Sequence, residues 1–292
     1  MSDITTQEST RTLHLRNRSL HPASDVLLMG ILNVTPDSFS DGGSHSTERT
    51  AVDHALRMVA EGADIIDIGG ESTRPGASEL SVEEELLRVL PVLKLLRSES
   101  DIPVSIDTRH AAVAQAALDG GADMINDVSA LRHDPGMAEI LRDADVPVVL
   151  MHMKGEPRTM QNNPRYDNIV EDVRHFFMER IAHGRACGLS RFILDPGIGF
   201  GKTVTHNLTL LRELHFFSDL DAPILVGLSR KSFIGTLSGA GVNERLPGSI
   251  AGNVIAFLNG AHILRVHDIA ATRQAMVVAA SIAASREVQD DR

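Results

Sequence analysis

Side chains able to do chemistry recur in this sequence at the ends of short aliphatic runs. In chain order they are Asn33, Thr73 with Arg74, Asp107, Asn126 with Asp127, His152, Asp195, Ser229 with Arg230 and Lys231, and Arg265 with His267. Asp107 and Asp195 are the most demanding of these. A carboxylate at the end of an apolar run is costly to bury unless a cation or a set of N–H donors meets it. Taken singly, such an aspartate is more often a helix cap. Two of them with Asn126 at one rim suit a polar heterocycle, because carboxylates accept from ring N–H and amino groups while an amide both donates and accepts. The cations suggest a second kind of ligand. Arg74 stands beside Ser72 and Thr73, Lys231 lies in Ser229-Arg230-Lys231-Ser232, and alternation puts Arg265 and His267 on one face of a strand. Hydroxyls, guanidinium and ammonium groups together suit an oxyanion such as a phosphate.

Two loops stand out for length or composition. Residues 33–43, Asn-Val-Thr-Pro-Asp-Ser-Phe-Ser-Asp-Gly-Gly, mix turn formers with donors and acceptors around one ring, Phe39. They suit a lid that closes over a ligand, and they also fit an ordinary polar loop. Residues 196–203, Pro-Gly-Ile-Gly-Phe-Gly-Lys-Thr, end like a phosphate-binding P-loop, but Pro196 stands where the first glycine must be, and Lys202 breaks the dinucleotide pattern. Neither nucleotide fingerprint applies, and the segment reads as a glycine-rich loop displaying Phe200. His183, His206 and His215 have no metal-ligand spacing.

The elements that must position these groups repeat with one rhythm. Eight near-continuous aliphatic runs, at 26–32, 64–69, 103–107, 123–127, 147–152, 192–197, 223–228 and 262–267, have the length and composition of strands buried on both faces. Between them lie helical spacings such as Val52, Leu56 and Val59, or Leu86, Leu90, Leu93 and Leu96. Ser81 with Glu84 predicts a capping box, Pro91 a kink, and Asp134-Pro135 an N-cap followed by a first-turn proline. Gly62, Gly121 and Gly260 each follow a helical pattern and precede a strand, as left-handed C-caps do. Eight βα repeats, with polar groups after nearly every strand rather than at one switch point, predict a single (β/α)8 TIM barrel over 26–288 in preference to an open sheet. Residues 1–25 read as a flexible N-terminal arm, and removal of residues 1–20 is expected to leave turnover intact.

Composition narrows the function classes. The 292 residues carry 28 basic and 39 acidic side chains, a net charge of −11, which repels nucleic acid and anionic membranes overall. With nine Phe, one Tyr and no Trp, few rings are left for base stacking. A lone Cys187 leaves no internal disulfide and fits a reducing compartment. No run approaches a membrane span and the N-terminus lacks an apolar signal. The expectation is a cytoplasmic protein that binds small molecules, with no nucleic acid and no membrane partner.

At motif level the sequence closely resembles the dihydropteroate synthase family of bacterial folate synthesis. The resemblance rests on GILNVTPDSFSDGG (30–43), DIGGESTRPGA (67–77), SIDT (105–108), INDV (125–128), LMHMKGEPRTMQ (150–161), LDPGIGFGKT (194–203), GLSRKSFIG (227–235) and GAHILRVHD (260–268). It implies a TIM-barrel transferase that joins 6-hydroxymethyl-7,8-dihydropterin pyrophosphate to 4-aminobenzoate with Mg2+, releasing pyrophosphate and 7,8-dihydropteroate by a dissociative substitution. It further implies that Asp107, Asn126, Asp195 and Lys231 hold the pterin, with Met151 alongside. Asn33 would contact Mg2+ and diphosphate, while Thr73, Arg265 and His267 bind the diphosphate. Thr35, Pro36, Phe39, Phe200 and Ser232 would form the aminobenzoate site, and Arg74 with Asp37 would lock the two loops. Asp107, Lys231, Arg265 and His267 would be catalytic. Family members form homodimers, and the Asp-Ser-Phe-Ser around Phe39 favours sulfonamide sensitivity. The alternative is a pterin-binding methyl-donor domain of a methyltransferase, which shares the barrel but has no need of Phe39 or Lys231-Ser232.

Overall fold

The computed structural model describes residues 13–15, 18–21, 26–34, 44–71, 80–155 and 159–285, with the backbone alone for 44–47. Eight parallel strands form its centre: β1 Leu27–Asn33, β2 Ile65–Gly69, β3 Val104–Asp107, β4 Met124–Asp127, β5 Val148–Met151, β6 Phe192–Asp195, β7 Leu225–Val226 and β8 Ile263–Val266. They pair in the order β6-β5-β4-β3-β2-β1-β8-β7. A parallel bridge from Leu194 to Ile224 joins the two ends, so the sheet closes into the expected (β/α)8 barrel.

Helices cover the outside: α1 Ser44–Ala60, α2 Val82–Glu99, α3 Ala111–Asp119, α4 Met137–Ala144, α5 Ile169–Ala186, α6 Val204–Arg212, α7 Ser232–Ser238, α8 Leu246–Leu258 and α9 Ile269–Ala284. The period of two divides each strand between two cores. Leu28, Leu32, Ile66, Ile68, Val104, Ile106, Leu150, Leu194 and Leu264 pack outward against the helices. Leu27, Met29, Ile65, Met124, Val149, Ile193, Leu225 and Ile263 fill the lower barrel. The same inward parity, continued up the strands, brings Asn33, Asp67, Asp107, Asn126, Met151, Asp195 and Arg265 toward the upper mouth. An apolar floor under a polar rim thus follows from side-chain alternation in strands that look uniformly apolar.

Local signals hold in most places. Ser81 Oγ accepts from the Glu84 amide and Glu84 Oε2 from the Ser81 amide, completing the capping box of α2. Gly62, Gly121 and Gly260 have φ of +99°, +97° and +102°. Pro91 lies inside α2 without ending it, which leaves the expected kink open. Another expectation is corrected. Asp134 is not the cap of α4, which starts at Met137; its carboxylate instead accepts from the amides of Ala111 and Gly136, tying α4 to the start of α3.

Within the N-terminal segment, the described residues 13–15 and 18–21 are packed against the barrel rather than free. Leu13–His14 and Ser19–Leu20 form a small antiparallel hairpin. Leu13 and Leu15 are buried in the cluster that fills the bottom of the barrel. Arg18 adds bonds to the Asp101 carbonyl and the Asp123 carboxylate, and Arg191 donates to the Leu15 carbonyl. An open barrel end exposes apolar side chains, and Leu13 and Leu15, at alternate positions, pack against them with Leu20 alongside.

Candidate active site

Charge at the mouth is organised around one guanidinium. Arg265, the third residue of β8, donates from Nε to Asp67 Oδ2 at 2.6 Å and from Nη2 to Asp107 Oδ2 at 2.9 Å. Asn126 Nδ2 donates to the same Asp67 oxygen at 3.1 Å. Two carboxylates around one arginine keep the guanidinium charged despite burial. Burial, against the pull of Arg265 and with help from Asp67, Glu85 and Glu71, pushes Asp107 up to about 8. Asp67 Oδ1 has no partner among the described residues, and Asp67 is completely buried.

A second charged pair lies across the mouth. Asp195 is also raised by burial, opposed chiefly by Lys231. Lys231 is lowered by burial to about 8, opposed by Asp195. The Asp195 carboxylate accepts from the Gly197 amide at 2.7 Å, which turns the glycine-rich loop away from the strand. Lys231 bonds the Ile198 carbonyl and stands 4.4 Å from the centre of the Phe200 ring, a cation–π distance. Phe200 packs against Val128, Met151, Met153 and Met160, so a half-buried apolar wall adjoins the charged rim.

The structure therefore gathers Asp107, Asn126, Met151, Asp195, Lys231, Arg265 and Phe200 about one opening. His267, two residues beyond Arg265, has Nδ1 3.0 Å from Ser229 Oγ. Ser232 is exposed at the start of α7. Asn33 ends β1, with its Oδ1 over Gly69 and facing the Asp107 side. Thr35, Pro36, Asp37, Phe39, Thr73 and Arg74 lie outside the described residues. Sequence reasoning missed Asp67, read only as part of a strand; the signal was a carboxylate in an aliphatic run with the inward parity of Ile65. It also missed Lys202, set aside with the failed P-loop. Among the described residues no cluster of three or more His, Cys, Asp or Glu could hold a metal, and no helix is long and apolar enough to cross a membrane.

Barrel, charged rim and apolar wall define a pterin-binding enzyme, and the model of the family described as pterin binding enzymes matches residues 29–267. The dihydropteroate synthase of Escherichia coli K12 is 48% identical over 262 residues, 89% of this chain and 93% of that protein. The Yersinia pestis dihydropteroate synthase, solved with a sulfonamide drug complex, superimposes with a TM-score of 0.88 at 45% identity, covering 94% of this chain and 99% of the other. The Xanthomonas albilineans dihydropteroate synthase with 4-aminobenzoic acid gives 0.87 at 47% identity over the same shares. This chain belongs to the dihydropteroate synthase family, and the methyl-donor alternative falls away.

Proposed function

We propose that the barrel mouth condenses 6-hydroxymethyl-7,8-dihydropterin pyrophosphate with 4-aminobenzoate, using the residues gathered there in distinct roles. The observation that carries this reading is the Asp67–Arg265–Asp107 ion network beside the Asp195–Lys231 pair and the Phe200 wall. The Asp107 and Asp195 carboxylates and the Asn126 amide are matched to the N–H and carbonyl edge of a pterin. Met151 offers an apolar surface to its face. Arg265 and His267 face the anionic end of the same ligand; Thr73 and Arg74, which lie outside the described residues, are assigned to that end by the family resemblance.

The C–O bond between the exocyclic methylene and the diphosphate breaks first, and the diphosphate leaves with the electron pair. The residual cation, delocalised into the pterin ring, is stabilised by the carboxylates of Asp107 and Asp195, while Arg265 and His267 meet the charge on the leaving group. The aminobenzoate nitrogen then forms the C–N bond and gives up a proton. Phe200 and Ser232 hold that ring in position; Thr35, Pro36 and Phe39 are assigned to the same site, and Arg74 with Asp37 to locking the two loops, by the family resemblance, all five lying outside the described residues.

The reading includes Mg2+, for which Asn33 offers an oxygen. Asn33 Oδ1 is a neutral oxygen at the rim, 3.8 Å from where a Gly69 side chain would begin, and Mg2+ is commonly held by few protein oxygens together with substrate phosphates and water. Asn33 would hold it, and when bound it neutralises diphosphate charge.

A coupled assay of pyrophosphate release tests the reaction: release must require both 4-aminobenzoate and Mg2+. Calorimetry tests the pocket, since Asp107→Ala must lose pterin binding and near-native affinity would overturn the assignment. A cytoplasmic homodimer completes the reading. Support for the dimer comes from Ile255 and Leu258 on α8 and Val277, Val278 and Ile282 on α9, all about half exposed on adjoining helices. Sedimentation of the wild type and of Val278→Glu checks it; a wild type that runs as a monomer at micromolar concentration rules it out.

A further inference from the structure

Lys202 does something the reaction does not require of a lysine. Its side chain is 3% exposed. Its Nζ lies 2.9 Å from His152 Nδ1 and donates to the His152 carbonyl at 3.2 Å and the Phe200 carbonyl at 3.0 Å. All three partners are neutral. A buried ammonium bonded only to neutral atoms is costly, and a methionine would fill the same volume without that cost. Burial pushes Lys202 well below its usual range, opposed by the charge of Asp195, with which it makes no hydrogen bond. Burial and the adjacent Lys202 also hold His152 down to about 2, leaving a neutral imidazole whose Nδ1 is free to accept.

What this arrangement secures is the loop that carries Phe200. Gly199 O accepts from Gln161 Nε2 at 2.6 Å and Gly201 O from Tyr166 Oη at 2.8 Å. Gly197 and Gly201 have φ of +65° and +60°. A Cβ on the first would collide with the His152 carbonyl and on the second with the Lys154 carbonyl. Residues 197–202 therefore lie directly on the segment that follows β5, fastened at three successive carbonyls. Lys202 is the one of these three fasteners that is fully buried and that reaches both the loop and the strand end.

We propose that Lys202 is a positioning residue: by tying the Phe200 carbonyl to His152 it fixes the Phe200 ring against Lys231, and so sets the affinity for the aromatic amine without touching either substrate. Gln161 and Tyr166 are secondary fasteners of the same loop. The proposal rests on the reading of Phe200 as a wall of the aminobenzoate site.

The test compares Lys202→Met, Phe200→Ala and the double variant in steady-state assays that vary each substrate separately. Lys202→Met should raise KM for 4-aminobenzoate on the order of tenfold and leave KM for the dihydropterin pyrophosphate within about twofold. In the double variant the aminobenzoate effect should be no larger than in Phe200→Ala alone, because both changes remove one function. A purely structural lysine would instead lower the folded fraction, and hence apparent kcat, with both KM values unchanged; that result overturns the proposal. An unchanged aminobenzoate KM in Lys202→Met beside a raised one in Phe200→Ala overturns it while leaving the reading of Phe200 intact. Unchanged values in Phe200→Ala overturn both. Should Lys202→Met fail to fold, Gln161→Ala and Tyr166→Phe each remove one hydrogen bond; both should raise the aminobenzoate KM severalfold, and wild-type values in both refute the proposal.

Discussion

Asp67 and Arg265 are 198 positions apart in the chain, and Asp67 Oδ2 lies 2.6 Å from Arg265 Nε inside the barrel. Because that same oxygen also receives Asn126, one completely buried carboxylate orients both a cation directed at the diphosphate and an amide directed at the pterin. Asp107 Oδ2 accepts from the other side of the guanidinium, at Nη2. Removing Asp67 therefore disturbs two contacts with the same substrate.

Asp67→Asn should lower kcat/KM for the dihydropterin pyrophosphate on the order of 100-fold and leave KM for aminobenzoate within about twofold. Asp67→Ala should in addition lose about 3 kcal/mol of stability, since it leaves Arg265 with a single carboxylate in a buried setting. Kinetics and urea denaturation check both. Wild-type kcat/KM in Asp67→Asn would show that Asp107 alone holds Arg265.

The pH profile follows from two groups of opposite sign. Asp107, raised by burial to about 8, is charged only above that value, and Lys231, lowered by burial to about 8, is charged only below it. With both charges needed, kcat/KM should be bell-shaped with its maximum near pH 8, falling about tenfold per pH unit well to either side. Lys231→Arg should lift the alkaline limb, because guanidinium stays charged there. An alkaline limb unmoved in that variant would assign it elsewhere. Pterin binding at pH 7 should also release protons as Asp107 ionises, measurable by calorimetry in buffers of different ionisation enthalpy.

The hairpin under the barrel should matter to stability and not to turnover. Leu13 and Leu15 are each 4% exposed, so replacing either with alanine should cost about 2 kcal/mol or more. Removal of residues 1–20 should lower Tm while the folded fraction keeps wild-type kcat at 25 °C. Tm unchanged on truncation would mean the barrel floor needs no cover.

Gly197→Ala should be among the most damaging single-methyl additions. Its φ of +65° disfavours any side chain, and the new Cβ would meet the His152 carbonyl. A loss of about 2 kcal/mol or more in thermal unfolding, with a raised aminobenzoate KM, is expected. Gly239, whose φ is +74° with open space around it, is the control: alanine there should carry only the smaller conformational cost.

Much of this protein was legible before folding. Eight aliphatic runs separated by helical spacing dictate a barrel, because strands buried on both faces need helices on the outside and filled space within. Polar groups at the strand ends then fall at one rim, so Asp107, Asn126, Asp195, Lys231 and Arg265 could be named from position alone. What only the tertiary structure decided is which charge meets which. Asp67 is invisible as a partner of Arg265 because the contact spans most of the chain and depends on barrel closure, which sets β2 and β8 on either side of β1. Lys202 looked like the remnant of a failed nucleotide motif, and its role depends on the βα loop after β6 folding down onto the end of β5. The N-terminal hairpin, polar in sequence, was drawn in by two leucines that an open barrel end had left room to bury. Local pattern fixes which face a side chain takes; long-range closure fixes its neighbours, and in a low-dielectric barrel the neighbours decide where charge can reside.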